Sequence, residues 1–276
     1  MRCLGNVCCL VAITTMILTL SSTVQAGSYE AAVLADNPAG YWRLEEDVSG
    51  GAAADSAGSH NGTIAGGITN VAGGCPQCGN AMRFDGDTGI IDVQDSDGSL
   101  GSSGSAWSIE FFMRAEAGGG PHQNPVIKGH FTGAGGTFFN QTSGLGNLGF
   151  GINNGSPHTA EAPLATYDVW QHVVGTIRHE GGDTKATVYV NGALAGENTI
   201  PGHQKDNSAE PLTIGALSYG SPAYVNHFIG ALDEVAVYDY ELSAGQVAAH
   251  YAASVPEPSA CLLLVLGLCG LIARRR

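Results

Sequence analysis

Positive charge is what this sequence has least of. Eleven lysines and arginines stand against 25 aspartates and glutamates in 276 residues, for a formal charge of −14. Four of the eleven (Arg2, Arg274, Arg275 and Arg276) sit at the chain ends, so the balance from Gly27 to Ser254 is 7 − 24 = −17. Such a surface repels phosphate backbones, and no basic cluster offsets it, which argues against nucleic acid as a partner. Charged residues of either sign make up only 13%, and no long Ala/Glu/Lys/Leu-rich periodic run appears, which excludes a coiled coil or helical bundle. Cysteine is nearly missing from the middle: Cys3, Cys8, Cys9, Cys261 and Cys269 lie in the end segments, leaving Cys75 and Cys78. One pair cannot supply the four ligands of a structural zinc, and no βαβ pattern surrounds it to make a redox site. A local disulfide pinning a Gly-rich loop in an oxidising compartment is the reading that remains.

Long apolar runs occur only at the two ends. Residues 1–26 read as a secretory signal: Arg2, an apolar run from Val7 to Leu20, then Val24-Gln25-Ala26 with small residues at −3 and −1. Signal peptidase is expected to cut after Ala26. Residues 254–276 carry Val255-Pro256-Glu257-Pro258, an apolar run from Ala260 to Ala273, and three terminal arginines. Pro256 and Pro258 stop a helix, the run could barely cross a bilayer, and the arginines would hold its end on the cytoplasmic side. This layout resembles the PEP-CTERM sorting signal of exported bacterial proteins. The resemblance implies handling by an exosortase, transient or lasting membrane insertion through the C-terminus, and delivery to the cell surface or an extracellular matrix.

What the middle has in abundance is glycine, with 41 in the chain. Short strand-like runs alternate with Gly/Ser/Asn/Asp clusters: Tyr41–Leu44, Ala81–Phe84, Ile90–Val93, Trp107–Arg114, Pro125–Lys128, Leu148–Ile152, Trp170–Arg178, Ala186–Val190, Leu212–Gly215 and Phe228–Tyr238. That rhythm predicts one all-β domain over 27–253, an antiparallel two-sheet sandwich or jelly roll. Asn191-Gly192 predicts a type I′ turn folding Ala186–Val190 back on Ala193–Glu197. A single helix is predicted at Ser243–Tyr251, where Ser243 and Gln246 make a capping box. Trp42, Trp107 and Trp170 fall within strand patterns and are expected in the core.

Catalytic signatures are lacking. There is no E-x-D-x-x-E strand for paired carboxylates and no G-x-S-x-G elbow. His179-Glu180-Gly181-Gly182-Asp183 has Asp where a zinc-protease motif needs its second His, and Gly-Gly makes it a turn. Asp92, Asp95, Asp97 and Gly98 do not fit an EF-hand, because position one of that register falls on Val93 and position twelve on Gly104.

The order of Gly40-Tyr-Trp-Arg-Leu-Glu45, Asp55-Ser-Ala-Gly58 with Asn61-Gly62-Thr63, Ala81-Met-Arg-Phe84-Asp85-Gly86, Trp107-Ser-Ile-Glu110-Phe111, Trp170-Gln-His172, Tyr189-Val-Asn191-Gly192 and Gly230-Ala-Leu-Asp233-Glu234-Val-Ala-Val-Tyr238 is similar to the laminin-G-like family of concanavalin-A-type jelly rolls. The family implies two curved antiparallel sheets, binding of carbohydrate or protein ligands, and often a structural calcium. Strict alternation in Phe228–Tyr238 puts Asp233 in line with Ala231, Val235 and Val237, where a carboxylate needs solvent, a donor or a cation. The resemblance brings Asp233 to the rim beside Glu45 and the loop of Asp55, so Glu45, Asp55 and Asp233 are the expected calcium ligands. For a sugar ligand the candidates are Tyr219, Tyr224, Asn226 and His227, with His122 and Asn124, since rings stack on aromatic faces and Asn and His give directional hydrogen bonds. The expectation is a non-catalytic exported protein that binds glycan or exopolysaccharide. The alternatives are an adhesion protein contacting other envelope proteins, and a glycosidase or polysaccharide lyase.

Overall fold

The computed structural model describes residues 28–101, 104–120, 122–130, 135–142, 146–155, 157–163, 167–203, 209–218 and 224–255. The predicted signal with its cut after Ala26, and the sorting segment with Pro256, Glu257 and Pro258, lie outside the described residues. No helix among the described residues is long and apolar enough to cross a membrane.

Two antiparallel sheets form the sandwich. The first has eight strands in the order Ala193–Pro201, Asp183–Val190, Gln171–Glu180, Ala106–Ala115, Ile229–Tyr238, Asn80–Asp85 and Ile68–Ala72. Its eighth, Gly40–Trp42, pairs with the end of Ile229–Tyr238, while Asn80–Asp85 pairs with its beginning. The second sheet runs Pro157–Pro163, Asn147–Asn153, Gly136–Thr142, Val126–Lys128, Leu212–Ile214, Ile90–Val93, Gly62–Ala65 and Ala52–Ala53, with His122–Gln123 on the side of Gly136–Thr142. Leu217–Ser218 and Tyr224–Val225 form a separate small hairpin.

Alternation decides what faces inward. Trp107, Ile109 and Phe111 from one sheet meet Phe139, Leu148, Phe150 and Ile152 from the other in the main core. Gly175 makes room for this contact: a Cβ there would lie 2.5 Å from the Phe150 ring. Trp42 and Trp107 are buried in this core as expected. Trp170 is not; it precedes its strand, half-buried on the outer face of the first sheet, with the Arg114 guanidinium 5.4 Å from its ring. Stacking a cation on the ring face explains why an indole is stable there.

That outer face is covered as well. Phe112, Val174, Ala236 and Tyr238 point away from the main core into a second apolar cluster with Tyr29, Val33 and Val247. The cover is two helices, α1 (Tyr29–Ala35) and α2 (Ala244–Ser254). Helix α2 has the capping box, with the Ser243 side chain accepting from the Gln246 amide and the Gln246 side chain accepting from the Ser243 amide. Helix α1 corrects the expectation of a single helix. Its seven residues are too few to show a period, and the burial of Tyr29 and Val33 against the sheet holds it.

Candidate calcium and carbohydrate sites

Strict alternation fails in the strand that carries Asp233. Asp233 pairs with Phe112 and Ala236 with Glu110, so Glu234 and Val235 together oppose Phe111 in a β-bulge. Glu234 takes φ 53° to accommodate it. Leu232, Val235 and Val237 reach the main core, whereas Asp233 and Glu234 both face outward, not in line with Val235 and Val237. The bulge thereby turns two consecutive carboxylates toward one place, and both are buried.

Glu45 reaches the same place. Its carboxylate lies against Gly79, where a Cβ would be 2.7 Å from both oxygens. Arg43 serves part of this negative charge: it pairs with Glu45, and its Nε and Nη1 lie 3.5 Å from Glu234 and 3.4 Å from Glu30. Glu234 also accepts from the Tyr41 hydroxyl. Asp233 is worse provided. Its Oδ2 accepts from the Gly74 amide at 2.7 Å, and its Oδ1 is buried without a hydrogen bond. Burial, and then the charge of Glu234, push the Asp233 carboxyl up to about 9. Burial raises Glu234 to about 7 against the opposing pull of Tyr41 and Arg43.

The loop over these acids is the disulfide loop. Cys75 and Cys78 are joined as expected, with Cα atoms 5.0 Å apart. Around Gly73 the Cys78 carbonyl and Asp233 Oδ2 crowd together, each 2.9 Å from where a Cβ would be. Ligand atoms of Cys78, Asp233 and Glu234 lie within 4.8 Å of one another. The Cys78 sulfur is tied up in the disulfide, so the donors left are hard oxygens, the kind calcium takes.

Asp55 lies elsewhere. Its Oδ1 accepts from the amides of Tyr41, Ala57 and Gly58 at 2.9–3.0 Å, and its Oδ2 from the His60 amide at 3.0 Å. Four donors to one carboxylate fasten the Ala54–Asn61 loop to the first strand. The structure thus brings Glu45 and Asp233 together and sets Asp55 apart.

The sugar-binding candidates separate too. Tyr224 belongs to the small hairpin that lies over the outer face of the second sheet. Its hydroxyl donates to Asp92 Oδ2 at 2.9 Å, and Leu217 packs on Ile127 and Phe138. Asp92, Thr213, Ile127 and Phe138 are successive cross-strand neighbours in one row of that face. Asn140, two residues along from Phe138, keeps a buried Oδ1 without a hydrogen bond. Asn226 and Asn124 are bonded into the fold: the Asn226 carbonyl accepts from the Asn124 amide at 2.9 Å, and Asn124 Nδ2 donates to Phe139 O at 2.6 Å. His227 has its Nδ1 buried without a partner, and His122 is exposed. Tyr219 lies outside the described residues.

Sequence reasoning missed a third polar cluster, beneath the helices. Glu110 is fully buried; it accepts from the Tyr238 hydroxyl and faces His250 Nδ1 at 3.0 Å and His172 Nε2 at 3.2 Å. Burial alone would raise the Glu110 carboxyl, but hydrogen bonds from His172 and His250 hold it down at about 2. Little in the strand announced it: Trp107, Ile109, Phe111 and Met113 are apolar on one parity of Ala106–Ala115, while the other carries Ser108, Glu110 and Arg114, so only Phe112 hinted that the outer face is covered.

Over residues 85–248 the sequence matches the family model described as the concanavalin A-like lectin/glucanases superfamily. No curated protein matches it. Among solved structures it is similar to domain 4 of AbnA, an extracellular arabinanase from Geobacillus stearothermophilus, in complex with arabinotriose. There the identity is 16% and the TM-score 0.53, over 78% of this chain and 98% of that one. It is also similar to a botulinum neurotoxin type C structure concerned with interaction with two ganglioside molecules (14% identity, TM-score 0.58, 80% of this chain and 52% of that one). A third is the Trypanosoma rangeli sialidase in complex with sialic acid (12%, 0.55, 77% and 32%). The chain therefore spans about half of the toxin fragment and a third of the sialidase. With two antiparallel sheets face to face and a family match across more than half its length, the chain belongs to the concanavalin A-like lectin/glucanases superfamily.

Proposed function

We propose that this is an exported, non-catalytic protein of the cell surface or extracellular matrix whose sandwich binds carbohydrate and holds a calcium ion at the bulge. The observation that carries the carbohydrate reading is the outer face of the second sheet. Tyr224 and Asp92 present an aromatic ring and a hydrogen-bonded acid there, and Asn140 keeps an unsatisfied oxygen. Aromatic and amide groups of this kind recognise sugar rings. The arabinotriose and sialic acid complexes of two structures of similar fold, and the dependence of the neurotoxin's cell entry on two ganglioside molecules, support the same class of ligand. Export rests on the two end segments and on the disulfide.

Calcium is supported by the unpaired Asp233 Oδ1. Asp233, Glu45 and Glu234 would hold the ion, which would neutralise acids that Arg43 serves only in part. The test is retention of the full-length chain on immobilised polysaccharides and glycan arrays, with calcium or chelator. Binding should weaken at least ~10-fold in Tyr224→Ala, a loss of about 1.4 kcal/mol. No retention on any glycan in either condition overturns the carbohydrate reading. Separately, calcium at about 100 times its dissociation constant should add about 2.7 kcal/mol and raise Tm by roughly 5–10 °C, and Asp233→Asn should abolish the shift. A melting curve indifferent to calcium overturns the metal assignment alone.

A further inference from the structure

A second group of metal-ligating side chains lies away from the bulge, between the Ala54–Asn61 loop and the turn that follows strand Ile90–Val93. We propose that His60, Asp95 and Asp97 form a site for a divalent transition-metal ion of the zinc class.

Each side chain is placed by something other than its neighbours in the site. The backbone of His60 is fixed at both ends: its amide donates to Asp55 Oδ2 at 3.0 Å, and its carbonyl accepts from Trp42 Nε1 at 2.7 Å. Asp95 is 1% exposed. Its Oδ2 takes the Lys128 ammonium at 2.6 Å and the Leu100 amide at 3.1 Å, which orients the carboxylate from behind. Its Oδ1 makes no hydrogen bond and faces His60 Nε2 from 3.7 Å. Asp97 brings Oδ1 to 3.1 Å from the same nitrogen, held by the Ser99 amide at 3.1 Å and hydroxyl at 2.9 Å. The ligand atoms of the three residues all lie within 4.8 Å of one another.

The unsatisfied Asp95 oxygen is the feature that asks for an occupant. A buried carboxylate oxygen facing an imidazole, with a second carboxylate across from it, carries a desolvation cost that the Lys128 ammonium and the Leu100 amide on its other oxygen relieve only in part. Asp55, Asp95 and Asp97 against Lys128 leave the surroundings at 1 − 3 = −2, the complement of a divalent ion. The donor set is one imidazole nitrogen and two carboxylate oxygens, with the Ser99 hydroxyl 3.1 Å from that nitrogen. Imidazole nitrogen selects zinc and its neighbours over calcium and magnesium, which take oxygen. The remaining position is on the exposed side, where Asp97 is 65% exposed. Bound there, the ion would tie the Ala54–Asn61 loop to the Asp95–Ser99 turn at the rim of the second sheet.

The test uses the full-length chain with its free thiols alkylated, stripped of metal and saturated with calcium, then titrated with Zn²⁺ by calorimetry. Co²⁺ serves as a visible absorption probe. One equivalent of Zn²⁺ is expected to bind and to displace the Co²⁺ spectrum. Asp97→Asn, at an exposed position, should weaken Zn²⁺ at least ~10-fold, and His60→Gln should do the same. Asp233→Asn should leave Zn²⁺ binding unchanged. Circular dichroism of the metal-free variants confirms that each is folded. Zinc bound equally by the parent and the Asp97→Asn chain, or not bound by the parent at all, overturns the proposal.

Discussion

Glu110 ties three separate elements together. From the middle of the first sheet it meets Tyr238 on the neighbouring strand, His172 on the other neighbour and His250 on α2. His250 is engaged on both sides, with Nδ1 toward Glu110 and Nε2 3.0 Å from Asp36 at the end of α1. A carboxylate can only accept, so both ring nitrogens must donate and the imidazole is the cation. Burial lowers its affinity for the proton, but the hydrogen bond and charge of Glu110, then the charge of Asp36, outweigh this and raise it above 6.5. The sign of the pH effect follows. A raised histidine contributes stability that is whole below its unfolded value of 6.5 and is lost as pH rises through the folded value. Glu110, depressed from 4.5 to about 2, contributes above 4.5 and loses its contribution as pH falls toward 2. The Glu110–His250 pair should therefore stabilise most between about 4.5 and 6.5. His250→Gln is expected to cost about 2–3 kcal/mol near pH 5.5 and clearly less near pH 8.5, measured as the difference in urea midpoint from the parent chain at each pH. A cost that does not change with pH would mean that the imidazole is neutral throughout.

At the scale of elements, the Asn191-Gly192 hairpin shows how a local signal and a tertiary contact combine. Val190 pairs with Ala193, and both turn residues take positive φ, 51° and 76°, as the sequence predicts. The turn also meets α2: a Cβ on Gly192 would lie 2.9 Å from Tyr251 Cβ. Gly192→Ala should cost about 1–2 kcal/mol in urea unfolding through φ alone, and more if Tyr251 cannot move. A variant as stable as the parent would show that the turn is free to change type. Hairpins, capping boxes and alternating strands were legible because their causes are local. The bulge was not: alternation assigned Asp233 to the face of Val235 and Val237, and a single extra residue reversed the parity. Nor was the role of Asp55, because nothing in its own segment says that four amides converge on it. Its partnership with Glu45 was what the family resemblance implied, whereas the bulge and the disulfide loop set the actual neighbours of Asp233.

On the scale of the whole molecule, charge constrains which carbohydrate can bind. The body carries 7 − 24 = −17, and the row proposed to meet sugar includes Asp92. A polyanionic glycan approaching that surface meets repulsion that is screened over about 8–10 Å at ordinary salt. A neutral glycan meets none, and its stacking and hydrogen bonds are indifferent to ionic strength. The expected outcome is retention on neutral polysaccharides that stays within about two-fold between 50 and 500 mM NaCl, since no counterions are released. Acidic polysaccharides should be retained only when calcium bridges carboxylates of both partners, and that retention should vanish with chelator. Strong calcium-independent binding to an acidic glycan would require a basic surface that the described residues do not supply. Arg43, Arg83, Arg178 and Lys185 each pair with an acid, and Lys128 is buried against Asp95. The same scarcity of positive charge leaves Arg43 and Lys128 each serving one cluster of metal-ligating side chains, with a buried oxygen of Asp233 and of Asp95 still without a hydrogen bond, and the two ions proposed would supply the charge that is missing there.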